Sequence, residues 1–284
     1  MNNVDVGQVA NLRRIANPPG RASTTAAGGG LATHRRLATC PTIILLLALP
    51  SFAQDARSIV QESQRRGRAN SEHYEGSLEV IAANSKIAKK SWQYVRIGSF
   101  GASKAIIRFT TPAEVKGVAL LVANHPDRAS DQWMWTPAIG RERRIAIQDR
   151  STRFFGTDFS FEDLEERDVD QYDSKILGEE AIEGAPCWRI QSTPRKASQY
   201  EYSYIWIRKD NYVAVRYDNF VKGDVVRRML ATDLRNVQGI WTACMLDMTD
   251  LRRKSRTILR TEKLEYNTPM KDDDFTVQAL RREQ

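Results

Sequence analysis

Residues 200–217, with the sequence YEYSYIWIRKDNYVAVRY, form the pattern on which the predicted fold rests. The first half is rich in aromatic and β-branched residues, which favour strands, and its side chains alternate between two faces. Lys209, Asp210 and Asn211 follow as a short polar connection typical of turns, and a second run of the same character begins at Tyr212. The stretch therefore predicts two antiparallel strands joined by a tight turn.

The same pattern continues on both sides of this hairpin. Seven predicted strands succeed one another in the second half of the chain, over residues 172–177, 187–192, 200–208, 212–217, 225–234, 241–248 and 257–266. Their connections are too short for crossover helices, so neighbouring strands must be antiparallel. Shorter strands are predicted upstream over residues 77–81, 104–109, 117–123, 133–135 and 144–147. The whole predicts a mainly β protein with few helices.

Two segments depart from the strand pattern. Residues 54–70 predict one N-terminal helix, with Asp55 as its cap and a weak apolar stripe. Residues 151–166, STRFFGTDFSFEDLEE, are too polar and irregular for a strand and predict a loop that leads into a short helix capped by Ser160, with Asp163 three residues later. The four Phe residues of this loop must be buried, and we expect them to plug the inside of the sheet.

The N-terminus carries an export signal. Arg35 and Arg36 precede a short apolar run that ends in a small-x-small motif with Ser51 and Ala53. This order predicts a signal peptide over residues 35–53, cleaved after Ala53, and the apolar run is too short to span a bilayer. Residues 1–34 are expected to be a disordered extension or the result of a start assigned too far upstream. Residues 54–284 are then a single exported β domain in the periplasm.

Composition and charge exclude several classes of function. The chain has a net charge of +8, but five of its basic residues and one acidic residue lie in residues 1–53, which leaves +4 on the exported part. That small excess does not predict nucleic-acid binding, which needs a clustered basic face. His73 and His125 lack metal-ligand spacing, and no nucleophile motif or phosphate-binding loop is present. We therefore expect no enzyme activity, no metal and no cofactor.

Two cysteines remain after the predicted cleavage site. Cys187 and Cys244 both fall in predicted strands, and an exported protein folds in an oxidising compartment. Sequence alone leaves two alternatives open, a disulfide between them or two small buried thiols.

Three motifs of the chain resemble a known family. They are WMWTP at residues 133–137, RRI at residues 143–145 and FGTDFSFEDL at residues 155–164. Their order is similar to that of the outer-membrane lipoprotein-sorting family in its LolA-like branch. The resemblance extends over roughly residues 70–281, with a later strand that contains Trp206 and a closing Asp-Phe-Thr at residues 274–276.

The resemblance implies the architecture and the function. The expected fold is a strongly curved antiparallel sheet, an incomplete β-barrel like those of LolA and LolB, with an N-terminal helix and a lid of helix and loop. The expected function is that of a periplasmic, monomeric carrier that shields lipid or lipoprotein acyl chains in an apolar cavity. The alternative is a non-enzymatic accessory protein that docks on an inner-membrane transporter or an envelope assembly machine. A hydrolase ranks third.

Candidate site residues follow from these expectations. Aromatic residues at the centre of the chain and on the strand of the opening hairpin are predicted to line the cavity or its lid, although plain core packing is the alternative for each; they are Trp133, Trp135, Phe154, Phe155, Phe159, Phe161, Tyr202, Tyr204 and Trp206. Arg141, Arg143 and Arg144 are candidates for contact with a lipid head group or a membrane, against the alternative of solvated strand residues.

Overall fold

A computed structural model describes residues 55–282 of the 284-residue chain. The predicted signal peptide and the segment before it lie outside the described residues. Helix α1 (Ala56–Arg66) begins at the predicted cap, because the Asp55 carboxylate accepts a hydrogen bond from the backbone N–H of Ser58 at 2.6 Å. That bond satisfies one of the free N–H groups of the first helical turn.

Thirteen strands make up a single antiparallel sheet. They are β1 (Ser71–Ile81), β2 (Ile87–Gly98), β3 (Ser103–Thr111), β4 (Ala119–Asn124), β5 (Asp131–Thr136), β6 (Arg141–Arg144), β7 (Tyr172–Ile182), β8 (Ala185–Pro194), β9 (Tyr202–Arg208), β10 (Ala214–Val221), β11 (Asp224–Val237), β12 (Ile240–Asp250) and β13 (Ser255–Tyr266). Short 3₁₀ turns lie at Ile147–Asp149, Glu162–Leu164, Val169–Gln171, Asp272–Asp274 and Gln278–Arg281. The predicted mainly β fold with few helices is confirmed.

One strand escaped prediction and one is displaced. β2 has no predicted counterpart, because Lys89, Lys90 and Arg96 interrupt its apolar alternation. The strand predicted over residues 144–147 is instead β6, which ends at Arg144, and residues 147–149 form a 3₁₀ turn.

The strand order shows two meanders joined side by side. The order β6-β5-β4-β3-β2-β1-β13-β12-β11-β10-β9-β8-β7 makes β6 and β7 the two edges of the sheet, and β1 pairs with β13 at the seam. The chain passes from one edge to the other through residues 145–171, which we call the crossing segment. Because β6 and β7 are not paired with each other, the sheet is an incomplete barrel.

The crossing segment also shows how strongly the sheet curves. β3 and β9 stand seven strand positions apart, which would be about 34 Å in a flat sheet. Yet Ser103 on β3 donates a hydrogen bond to Glu166, and the next residue, Arg167, donates to Ser203 on β9 at 3.1 Å. Two consecutive residues reach both strands only if the sheet wraps around them.

The two faces of the sheet have different covers. α1 and the crossing segment pack on what we call the inner face. There, one apolar cluster gathers around Trp92, Phe109 and Leu120, and a second gathers around α1. On the outer face, Phe275 and Leu280 from the C-terminal segment cover strands β3 to β5. β4 is therefore buried on both faces.

Gly76 marks a bulge at the seam between β1 and β13. A Cβ atom there would lie 1.9 Å from the carbonyl oxygen of Arg260. Replacing Gly76 with Ala is expected to lower the free energy of unfolding by about 1–3 kcal/mol in urea titrations, because the two backbones must move apart. Gly67→Ala is the matched control, since its Cβ would meet nothing closer than 3.6 Å. Equal losses in the two variants would contradict this account of the seam.

Candidate functional site

The Phe-rich part of the crossing segment is a tight loop. The backbone N–H of Phe154 donates to the carbonyl of Phe159 at 2.8 Å, and that of Thr157 donates to the carbonyl of Phe154 at 2.9 Å. Between them, Phe155 and Gly156 adopt positive φ angles of 45° and 75°. This conformation costs glycine little but is unfavourable for Phe155, so the surrounding contacts must hold the loop in place.

The N-cap position of the short turn after the loop is Phe161 and not the predicted Ser160, although Ser160 and Asp163 do bond to each other. The backbone N–H and the hydroxyl of Ser160 both donate to Oδ2 of Asp163, at 2.8 and 2.6 Å. The turn that follows, Glu162–Leu164, is a single 3₁₀ turn. It brings a run of carboxylates onto the inner face of the sheet.

An apolar cavity of about 300 Å³ lies beside this loop. Its walls come from β1, β2, β3, β11, β12 and β13, and they include Tyr74, Leu78, Trp92, Phe109, Leu246 and Leu259. Phe154 and Phe159 of the crossing segment form one side. Phe154 stacks on Phe109 with ring centroids 5.3 Å apart, so the loop is packed into the sheet and is not merely laid over it.

The four predicted Phe residues therefore come together on the inner face. Phe154 and Phe159 line the apolar cavity directly. Phe161 is buried against Phe154, and Phe155 is half-buried with its ring edge on Phe109 and Phe154. Their assignment to ligand binding remains a proposal.

Buried hydrogen bonds anchor the Phe-rich loop to β13, at the seam of the sheet. The Asp158 side chain is fully buried and accepts hydrogen bonds from Ser255 and Thr257 of β13, the latter at 2.7 Å. Arg153 donates to the same carboxylate at 2.8 Å. The backbone N–H of Asp158 also donates to the Thr257 hydroxyl at 2.8 Å. One residue of the loop thus has four bonds, three of them to β13.

A second anchor joins the following turn to β11. Asp163 accepts from Arg227 at 2.8 Å and from the Tyr200 hydroxyl at 2.8 Å. Burial and the neighbouring Asp163 carboxylate raise the pKa of Tyr200, so its hydroxyl remains a donor. This triad fixes the turn to the second meander of the sheet.

The third anchor centres on Arg96, which sequence reasoning missed. Its guanidinium is nearly inaccessible and pairs with both Glu72 of β1 and Glu166 of the crossing segment. Burial raises the pKa of Glu166 in spite of the arginine. A sequence signal exists, because Arg96 follows Trp92 and Tyr94 at period two and so shares their inward face.

The neighbouring Glu165 has its own set of partners. Arg150 lies 3.2 Å from its carboxylate, and Gln132 donates to it at 2.7 Å. Burial raises the pKa of Glu165 as well. Consecutive acidic residues of the crossing segment are thus bound to different parts of the inner face.

A second cavity, of about 310 Å³, lies between α1, strands β7 to β10 and the crossing segment. Val60, Ile205, Ile207 and Tyr217 supply much of its apolar wall. It shares Asp163 and Met229 with the first cavity, so the two spaces adjoin on the inner face. A third, more polar space of about 300 Å³ borders it along residues 162–172.

Trp133 and Trp135 were predicted to line the cavity, and the structure corrects this. Both lie on the outer face, where they pack against the cluster that contains Phe275 and Leu280. Met134 between them faces inward. Strand alternation separates the tryptophans from the cavity, and they serve as core residues under the C-terminal segment.

The same correction applies to Tyr202, Tyr204 and Trp206. Ile205 and Ile207 on the alternate positions line the second cavity, so the aromatic residues project from the outer face. There, Tyr202 stacks on Phe220 at 4.6 Å, and Tyr204 contacts Phe220 and Trp206. The sequence established that two faces exist but not which one is the inner face.

The three candidate head-group residues lie on the edge strand β6. Arg144 is paired with Asp131 at 2.5 Å and stands over the Trp133 ring, and Arg143 is 3.9 Å from Asp149. Arg141, Arg143 and Arg144 are all exposed. Their contact with a membrane remains a proposal.

Cys187 and Cys244 are both buried free thiols, so the disulfide alternative is wrong. They lie on β8 and β12, and three strands separate these two in the sheet. Four strand spacings amount to about 19 Å along the sheet, far beyond the Cα separation that a disulfide allows. Burial raises the pKa of both thiols, which makes them less reactive.

Within residues 55–282, no group of three or more His, Cys, Asp and Glu side chains could hold a metal ion. The one helix of this part of the chain is not long and apolar enough to cross a membrane.

Comparisons with known proteins find one matching family model and several solved structures with a similar fold. A family model described as that of an uncharacterized protein matches residues 101–282, more than half of the chain. An outer membrane lipoprotein-sorting protein domain from Vibrio parahaemolyticus is similar with a TM-score of 0.77 and 23% identity, over 80% of this chain and 98% of that one. A DUF1329 family protein from Desulfovibrio piger has a TM-score of 0.76 and 26% identity, over 79% and 97% of the two chains.

A LolA superfamily protein from Nitrosomonas europaea is also similar, with a TM-score of 0.64 and 19% identity over 78% of this chain and 97% of that one. The search of curated proteins finds no match.

Proposed function

This chain belongs to a LolA-like sorting family, whose model matches residues 101–282, and from that premise we propose that it is a carrier that binds lipid or lipoprotein acyl chains on the inner face of its sheet. The resemblance drawn from residues 133–164 is thereby confirmed. The observation that carries the proposal is the apolar cavity closed on one side by Phe154 and Phe159.

Simple energetics support such a site. Each buried methylene contributes about 0.8 kcal/mol, so a 14-carbon chain left in water costs on the order of 11 kcal/mol. The two adjoining cavities, of about 300 and 310 Å³, each lie at the lower end of the range for small-molecule sites. A larger acyl cargo enters only if the Phe loop moves, and the polar anchors of that loop confine its movement.

The remaining parts of the proposal concern location and partners. We place the carrier in the periplasm, exported by the signal peptide over residues 35–53, with no catalytic step and with an inner-membrane transporter as a partner. Contact with the membrane is assigned to the exposed arginines of β6. Ile139 and Ile147 flank that strand with 62% and 61% of their surface exposed, which suits an anionic lipid surface.

Two measurements test cargo binding directly. The protein purified from the cell envelope is extracted with organic solvent for mass spectrometry, and the delipidated protein is titrated with a fluorescent fatty acid. Co-purifying lipid and saturable binding are expected. A lipid-free protein that does not bind the probe would refute the carrier function, and retention of a membrane transporter by that protein would favour the accessory role.

A pair of variants on β12 locates the binding site. Leu246 lines the apolar cavity, whereas Met245, its neighbour, faces outward against Arg260. Leu246→Trp is expected to weaken fatty-acid binding at least tenfold, because the indole displaces about two methylenes of the tail from the cavity. Met245→Trp adds the same ring on the other face and should leave the Kd unchanged. Equal affinities in folded variants would exclude this cavity as the acyl site.

A further inference from the structure

The second cavity contains a cation without an anionic partner. Arg167 lies in its wall, and its Nη2 donates to the Ser203 hydroxyl at 3.1 Å. Its Nε is buried and has no hydrogen-bond partner. No carboxylate among residues 55–282 comes within 4.0 Å of the guanidinium, so Arg167 forms no ion pair within the described part of the protein, and the Asp163 carboxylate attracts it only from a longer distance.

Other arginines of the inner face form ion pairs. Arg96, Arg150, Arg153 and Arg227 each have a carboxylate within 3.2 Å. Arg167 instead stands over two tyrosine rings, with its guanidinium carbon 4.8 Å from the centroid of Tyr172 and 5.5 Å from that of Tyr217. Ring faces attract a cation but do not neutralise it. Because an arginine cannot shed its proton, the position favours the arrival of an anion.

The acidic residues nearby do not supply that anion. Glu162 accepts from the Ser198 hydroxyl and from the backbone N–H of Gln199. Asp163 and Glu166 are bound to Arg227 and Arg96. Glu165 is bound to Arg150. Each carboxylate of this stretch is thus already engaged, whereas the buried Nε of Arg167 has no acceptor among the described residues.

The cavity wall around Arg167 has a polar part and an apolar part. Ser203, Ser192 and Asn219 supply polar groups, whereas Ile205, Ile207 and Met229 supply apolar surface, and Met229 also lines the first cavity. A ligand that fits both parts has a charged end and a hydrocarbon end.

We propose that Arg167 binds the anionic head group, a carboxylate or phosphate, of a single-chain amphiphile whose tail runs from the second cavity into the adjoining first cavity. This inference rests on the proposed function, because it assumes that the inner face binds hydrocarbon chains. It adds the class of ligand and the residue that selects it. Arg167 holds the head group by charge-assisted hydrogen bonds, and the apolar wall holds the tail.

The test compares ligands that differ only in the head group. The full-length protein is titrated with a long-chain fatty acid, its phosphate monoester and its fatty alcohol, all of one chain length, and with inorganic phosphate alone. The acid or the phosphate monoester is expected to bind at least tenfold more tightly than the alcohol, since hydrogen bonds between two charged groups are stronger than those to a neutral hydroxyl. Inorganic phosphate without a tail should bind far more weakly.

Arg167→Met should abolish that preference while it retains alcohol binding. The control is Arg260→Met, which removes an arginine from the outer face and should leave the preference intact. An unchanged ratio in Arg167→Met, or inorganic phosphate that binds as tightly as the amphiphiles, would overturn the assignment of Arg167. If the wild-type protein binds neither the anionic amphiphiles nor the alcohol, the carrier function itself fails, which is a different result.

Discussion

Replacing Arg96 with Met is expected to lower the free energy of unfolding by about 3–5 kcal/mol, the range found when one partner of a buried ion pair is removed. Arg96 has only 4% of its side chain exposed and binds Glu72 and Glu166 together. It also donates to the carbonyl of Gly98 and to Ser99, at 2.6 and 2.8 Å. Methionine fills part of the space but leaves two buried carboxylates without a counter-charge.

The loss of unfolding free energy in Arg96→Met should depend on pH, and its direction follows from the pKa of Glu166. The pKa of Glu166 is raised by burial, and removal of Arg96 takes away the charge that opposes this rise. A carboxyl group whose pKa is higher in the folded than in the unfolded state destabilises the fold at a pH above its folded-state pKa. This destabilisation disappears as the pH falls to the pKa of the unfolded state. In denaturant titrations the loss of stability in Arg96→Met should therefore become smaller as the pH falls from neutral toward 4.5, the ordinary pKa of a glutamate.

Arg235→Met is the matched control for this variant. Arg235 pairs with Asp233 at 2.6 Å, and 53% and 46% of the two side chains are exposed, so its loss should cost less than about 1 kcal/mol. Two results would contradict this account of Arg96: the two variants lose similar amounts of unfolding free energy, or the loss in Arg96→Met does not change with pH. Either would show that Arg96 does not stabilise the inner face by neutralising its buried carboxylates.

Asp158→Ala is expected to release the Phe loop and to cost about 3–5 kcal/mol, because Asp158 is fully buried and joins the loop to β13. The variant leaves Arg153 without its carboxylate and Thr257 without its acceptor. Limited proteolysis within residues 150–157 should become faster than in the wild-type protein, because a loop that opens more often is cut more often.

Asp149→Ala provides the comparison within the same crossing segment. Asp149 is exposed and lies 3.9 Å from Arg143, so its removal should change neither stability nor cleavage by more than the usual surface effect of about 0.5 kcal/mol. If Asp158→Ala were as stable and as resistant to cleavage as Asp149→Ala, the loop would have to be held by its Phe side chains alone.

Much of the fold could be predicted because its signals are local. The turn at residues 209–211 and the alternation on both sides predicted β9 and β10, and the cap at Asp55 predicted the start of α1. β2 was missed because its inner face contains the long polar side chains of Lys90 and Arg96. Those residues are buried or half-buried through partners on distant segments, such as Glu166, that no local pattern reveals.

The candidate site was only partly predictable for the same reason. The irregular Phe segment had to be buried, and its residues do meet on the inner face. Arg167, by contrast, is one arginine in an acidic stretch, and its sequence context predicts an ordinary surface pair. Only the curvature of the sheet brings it beside Tyr217 and Ser203, away from any carboxylate partner.

The sequence by itself determined the types of most elements, the antiparallel order of the second half and the family, since alternation, turn residues and short motifs depend on neighbours along the chain. The tertiary structure alone decided which face of each strand became the inner face. Alternation of period two is symmetric between the faces, so Tyr204 and Ile205 were equal candidates for the cavity. The crossing segment breaks that symmetry, because it and α1 cover the face of Ile205 and leave Tyr204 outside.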